Sequence, residues 1–166
     1  MSDERFAERA AEMRRSFDRS FAEPEHTRPE ATEALICIRV AGVTYALRLA
    51  ELAGLFVARR IMPMPSSARA LLGLAGIRGA VVPVYGLREL LGHPPSAQPT
   101  RWLLLARSAP VGFAFEEFVR YVSVERAHIA DADATQTVRA HGREVVSLAD
   151  VVHPIVSLAH VLETLR

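Results

Sequence analysis

Of the 166 residues, half are hydrophobic and 23% are charged, a balance that builds a buried core and argues against disorder. The formal net charge of +1 offers no global field to recruit nucleic acid or an acidic membrane. One cysteine, Cys37, excludes an internal disulfide framework.

Lysine is absent, so all twenty basic residues are arginine, which reads first as codon bias, although arginine is also the side chain suited to planar, bidentate recognition. The N-terminus, MSDERFAERAAEMRR, is charged throughout and lacks the apolar core of a signal peptide. No apolar run reaches the roughly eighteen residues of a membrane span, and the expected compartment is the cytoplasm.

Residues 3–22 read as an amphipathic helix, with Phe6, Ala10, Met13, Phe17 and Phe21 on one face and Glu8, Arg9, Glu12, Arg15 and Arg19 on the other. It is a flap packed on its own domain, a docking segment for a partner, or a disordered tail. Glu23–Glu33 has prolines and charges without periodicity and reads as a linker, so residues 1–33 form an N-terminal helix and linker ahead of a domain over 34–166.

From Ala34 the period changes to that of strands. Leu35–Val40 and Val43–Leu49 form a hairpin turning at Ala41-Gly42, and Leu52–Val57 is a bent strand or one helical turn. Leu71–Gly76 and Ala80–Tyr85 form a second hairpin around Arg78-Gly79, followed by a helical turn over Leu87–Leu91 that Gly92 ends. His93–Thr100, the segment HPPSAQPT, is the clearest internal boundary. Three strands follow, Arg101–Arg107, Val111–Glu116 and Phe118–Val124. A polar stretch around Asp131–Thr137 separates them from the pair Glu144–Leu148 and Val151–Val156, and Leu158–Leu165 closes as a helix. Short strands at regular spacing with Gly and Pro turns predict an all-β barrel or sandwich.

One unit occurs twice. Val81-Val82-Pro83-Val84-Tyr85-Gly86-Leu87 is echoed by Val152-His153-Pro154-Ile155-Val156-Ser157-Leu158, which suggests two similar small barrels. A proline within a strand cannot donate to the ladder, so each copy is expected at an edge or a bulge, where another element or protein can approach.

Catalytic constellations are missing from the pattern. The six histidines lack paired ligand spacing, and Glu116-Glu117 would point to opposite faces of a strand. Gly73, Gly76 and Gly79 have the wrong spacing for a phosphate loop, and no nucleophile elbow appears. No cofactor or metal site is expected, and no nucleic-acid partner.

The run Leu72-Gly73-Leu74-Ala75-Gly76-Ile77-Arg78-Gly79-Ala80-Val81-Val82-Pro83-Val84 resembles the signature of CheW-like domains. Leu35–Leu49 resembles the first hairpin of that family, Val111–Phe118 a later strand segment, and Val152–Leu162 the closing strand and helix. The chain departs from the family pattern at Gly76, which stands where asparagine is usual, and at Gly86 and Ser157, where an aspartate often follows the strand. Gly54 stands in place of an acidic residue.

The resemblance implies an all-β fold of two packed, five-stranded, SH3-like barrels with short helices. It implies a noncatalytic adaptor that couples methyl-accepting chemoreceptors to a CheA-type histidine kinase in cytoplasmic arrays, where such domains assemble into rings. Receptor tips would dock near the groove between the barrels and the kinase at barrel ends. The partner-binding residues it suggests are Arg78, Gly79, Gly73, Leu52 and Phe118, with Arg78 at the receptor groove and the kinase approaching near Gly73 and Leu52.

Arg78 fits two roles, a brace that donates hydrogen bonds to carbonyls near the barrel junction or an anchor for the receptor. A divergent adaptor would keep the receptor and bind the kinase weakly, with the N-terminal helix masking a surface. The reading from another class is a small ligand-binding or enzymatic barrel, which would need clustered polar groups with shifted ionisation in a concave pocket.

Overall fold

In the computed structural model, residues 31–97, 99–132 and 143–165 are described. The expected helix over 3–22 and most of its linker lie outside these residues.

The chain begins with the hairpin β1 (Thr32–Val40) and β2 (Val43–Arg48), then passes through one 3-10 turn into β3 (Leu52–Val57) and β4 (Ile61–Met62). The second hairpin is β5 (Leu71–Ile77) and β6 (Ala80–Gly86), ended by the single helical turn α1 (Leu87–Leu90). Next come β7 (Trp102–Ala106), β8 (Gly112–Phe115), β9 (Glu117–Glu125) and β10 (Ile129–Asp131). The described chain closes with β11 (Glu144–Leu148), β12 (Val151–Val156) and α2 (Leu158–Glu163).

Two six-stranded sheets result, ordered β10-β11-β12-β2-β1-β9 and β3-β7-β8-β6-β5-β4. In each sheet the two outermost strands follow one another in the chain. Three residues join β3 to β4, and three join β9 to β10. Links that short reach at most about 14 Å, so each sheet must curl until its edges approach, which makes a barrel. The sixth strand beyond the expected five is in each case the short edge strand, β4 with two residues and β10 with three.

The barrels are not consecutive in sequence. Residues 32–48 and 117–156 build the first and residues 52–115 build the second, so the second is inserted between two halves of the first. The segment His93–Thr100 therefore marks no subdomain boundary. It is a loop inside the second barrel, between α1 and β7, and its prolines interrupt the chain without ending the sheet. The real crossings lie at the 3-10 turn Leu49–Glu51 and at Glu116.

Glutamates fasten both crossings. Glu51 accepts a hydrogen bond at 2.6 Å from the Leu158 backbone at the start of α2. Glu116 accepts one at 3.0 Å from the Ala41 backbone in the first barrel and another at 2.7 Å from Arg88 of α1 in the second.

Strands at the junction are buried on both faces, which explains their unbroken apolar runs. On β1, Leu35 and Cys37 face one cluster, inside the first barrel, with Ala46, Val124, Val146, Leu148 and Ile155. Ile36 and Ile38, one residue out of phase, face a larger shared cluster that joins Tyr45 and Leu47 to Leu104, Phe113 and Phe115 of the second barrel. β7 and β8 mirror this, sending Leu103 and Ala114 into the second barrel's own core with Ala75, Ile77, Val82 and Val84. Burial in these clusters pushes the Cys37 thiol up, against an opposing pull from Arg120, and leaves it a core group.

The strand–proline repeat folds alike in both barrels, but not at an outer edge. β6 lies between β5 and β8, and β12 between β11 and β2. The parallel partners engage only from Val84 in β6 and from Ile155 in β12, one residue after Pro83 and Pro154. Each proline therefore occupies the last position that asks nothing of its missing N–H on that side. Val81 and Val152, at matching places, stay 67% and 61% exposed.

In β12, burial holds the His153 pKa below its ordinary value, the Arg120 charge pushes the same way, and a hydrogen bond with the Thr44 backbone opposes them. The unfolded chain thus binds the proton at a higher pH than the folded chain does. Below about pH 6.5 the unfolded state holds more protons, and stability falls as pH drops. Urea titrations of His153→Gln are expected to lose less stability than the wild type between about pH 7 and pH 5.5. An identical slope in both proteins would refute the assignment.

Candidate functional site

The second hairpin turns at Arg78 (φ +50°) and Gly79 (φ +81°), and both positive angles are those of a type I′ turn, which follows the twist of its strands. The turn Ala41-Gly42 has the same signs, as has Ala149-Asp150, which is the counterpart of Arg78-Gly79 in the first barrel. The backbone geometry therefore belongs to the turn. What sets Arg78 apart is its side chain.

That side chain reaches back over β3. Its guanidinium carbon lies 5.6 Å from the centroid of the Phe56 ring, and the guanidinium carbon of Arg59 lies 5.3 Å from the same centroid. Phe56 also packs against the second barrel's core, so the ring is a platform that both cations contact. Neither guanidinium has a carboxylate partner among the described residues.

Gly54 makes this arrangement possible. A Cβ there would stand 2.9 Å from the edge of the Phe56 ring and 3.4 Å from Arg78 Nη2. The β-bulge between Leu52 and Gly54 bends β3 at the same point.

On the other side of Gly54 a groove of about 200 Å³ opens between the barrels. Ile36 lines it from the first barrel, Leu49 from the crossing turn, and Leu52, Ala53, Gly54, Leu55 and Arg107 from the second. Arg107 donates to the Leu52 carbonyl at 2.8 Å. The groove thus includes Arg107 in its lining and shares Gly54 with the Arg78 side chain.

Charge is divided between the barrels in a way the net value conceals. Residues 52–115 contain seven arginines against one acid, Glu89. Residues 31–51 and 116–165 contain ten acids against six arginines. The acids of the first barrel include internal partners such as Glu33 and Glu144, which hold Arg48 between them and raise its pKa against the opposing effect of burial.

The five residues suggested by the sequence fare differently. Arg78 and Gly79 share one exposed turn, and Gly54 connects Arg78 to the groove that Leu52 lines. Gly73 is buried beneath the Met62 backbone. Phe118 is half-buried against Trp102, ring centroids 5.4 Å apart. Phe56 and Arg59 escaped the sequence reading, which took Leu52–Val57 as a strand or a turn. An aromatic followed three residues later by arginine was the available signal.

Enzymatic geometry is not found among the described residues. No three His, Cys, Asp or Glu side chains gather as a metal site. A groove of about 390 Å³ beside α2 is lined mainly by Val111, Ala159, Leu162 and Leu165, with Tyr85 and Glu163 its ionisable members. The groups whose ionisation burial shifts, among them Tyr45 bonded to His93 at 2.7 Å, line neither groove.

The family model of the CheW-like domain matches residues 34–165. The chain belongs to the CheW-like domain family. This CheW-like domain is similar in fold to the scaffolding protein TtCheW from Thermoanaerobacter tengcongensis, with a TM-score of 0.71 at 15% identity, over 79% of this chain and 92% of that one. No curated protein matches the chain. The CheW-like domain family is noncatalytic. No helix among the described residues is long and apolar enough to cross a membrane.

Proposed function

We propose that this CheW-like domain is an adaptor of a cytoplasmic chemosensory array, binding a methyl-accepting chemoreceptor through the inter-barrel groove and the Arg78-Gly79 turn, and meeting a CheA-type histidine kinase weakly. The observation that carries the reading is the exposed, carboxylate-free Arg78 beside an apolar groove in a chain of this family. Arginine over an aromatic platform next to apolar side chains is the composition of an interface hot spot. Exposed Val57, Met62, Met64 and Val81, all in the second barrel, offer further apolar surface for assembly. Gly54 leaves the rim without an acidic group, and a lost rim charge mainly changes on-rate and partner choice. A slower and weaker encounter with the kinase is the expected consequence.

Calorimetric titration of the full chain tests the reading, with a soluble chemoreceptor signalling-tip fragment in one cell and the kinase regulatory domain in another. The tip is expected to bind, and Arg78→Ala to weaken it by about 1–3 kcal/mol without altering circular dichroism. Unfolding of the variant would favour the brace role. Binding to neither partner would overturn the adaptor.

A further inference from the structure

Glycine at position 54 bears on the chemistry of the partner. Arg59 and Arg78 crowd one ring in a barrel whose sequence holds a single acid, and no described carboxylate neutralises either of them. A side chain at 54 would point its Cβ to within 3.4 Å of Arg78 Nη2, so this is the place from which the chain itself would supply a counter-charge. Glycine stands there instead, and the Phe56 ring fills the space.

We propose that the cluster Phe56–Arg59–Arg78 is a carboxylate-binding site, and that its occupant is an acidic segment of the partner protein that brings an Asp or Glu to the N–H edges of the guanidiniums held on Phe56 and an adjacent apolar side chain to the Leu49–Leu52–Leu55 groove. The proposal rests on the adaptor reading and specifies the chemistry of its partner. Charge complementarity selects this occupant, because seven arginines in one barrel repel a basic segment, and a neutral one leaves two guanidiniums uncompensated beside the interface. A carboxylate there is held by planar donors on a rigid ring. The apolar groove sets the position of the neighbouring residue.

Binding of the chemoreceptor signalling-tip fragment to the full-length chain tests it, alongside melting curves for every variant. Arg78→Glu is expected to weaken binding at least tenfold and Arg59→Ala several-fold. Gly54→Glu, which installs the counter-charge internally, is expected to act like Arg78→Glu. If Gly54→Glu fails to fold because Phe56 cannot move, the Arg78→Glu measurement decides alone.

A tip fragment with its acidic residues replaced by Asn and Gln should bind the wild type as weakly as the native tip binds Arg78→Ala. It should lose nothing more against that variant. A native tip that binds the wild type and these variants equally overturns the carboxylate site while leaving the adaptor standing. No binding by the wild type overturns both. Self-association that Arg78→Glu abolishes, with tip binding untouched, assigns the arginines to a second copy of the chain and also overturns the proposal.

Discussion

Phe113→Ala is expected to cost about 3–5 kcal/mol, the range for deleting a fully buried aromatic ring, and to lower the stability of both barrels together. Phe113 is 0% exposed and lies in β8, paired with Leu104 of β7 on one side and in parallel with Tyr85 of β6 on the other. Its ring belongs to the shared cluster, which draws Tyr45 and Leu47 from the first barrel and Leu104 and Phe115 from the second. The cavity would therefore open where the two barrels meet. Because the first barrel is split by insertion of the second, it has no uninterrupted stretch of chain with which to fold alone, and the shared cluster ties the continuous second barrel to it.

A single urea transition at lower midpoint, with unchanged slope, is the expected result. Two separated transitions, with only the second barrel's shifted, would mean that the shared cluster does not couple the barrels. The neighbouring Ala114 faces the second barrel's own core. Ala114→Gly removes one methyl there and serves as the local control, with a cost of about 1 kcal/mol.

Local pattern made the elements legible, and nothing local could reveal the insertion. The hairpins around Ala41-Gly42 and Arg78-Gly79 are contacts between near neighbours, and their turn residues announce them. The pairing of β9 with β1 joins residues such as Ala34 and Ser123, and no periodicity encodes a partner that far away. Composition pulled the other way, since the prolines of His93–Thr100 look like a boundary while the crossings at Glu51 and Glu116 sit within compact, apolar chain.

The site was half legible. Arg78 stood out because a charged residue interrupted a hydrophobic hairpin. Its platform did not, because Phe56 lies on another strand and reads as one more core aromatic. The strand prolines were read as markers of an edge or a bulge from their missing N–H. The structure grants that N–H its freedom in central strands, by starting the parallel ladder one residue later.

Gly73→Ala is expected to destabilise the chain by about 3 kcal/mol or more, because two independent strains coincide at this position. Its φ of +145° is a conformation that side chains rarely adopt, and an added Cβ would stand 2.0 Å from the Met62 carbonyl oxygen. Met62 C at 2.7 Å and Pro63 Cα at 2.9 Å are also backbone, so no rotamer change can relieve the clash. The chain must instead peel β4 from β5, where the ladder holds only Ile61 with Ala75 and Met62 with Leu74. Losing β4 opens the second barrel along β5 and exposes an unpaired strand edge.

Gly79→Ala is the instructive contrast. It has positive φ as well, but nothing within 4 Å of the added carbon, and its cost should stop at the roughly 1–2 kcal/mol of the left-handed conformation. The comparison also separates packing from recognition. A lower melting temperature in Gly73→Ala, with weaker receptor-tip binding as its consequence, assigns Gly73 to the barrel seam. Wild-type melting combined with lost tip binding would instead make Gly73 a partner contact.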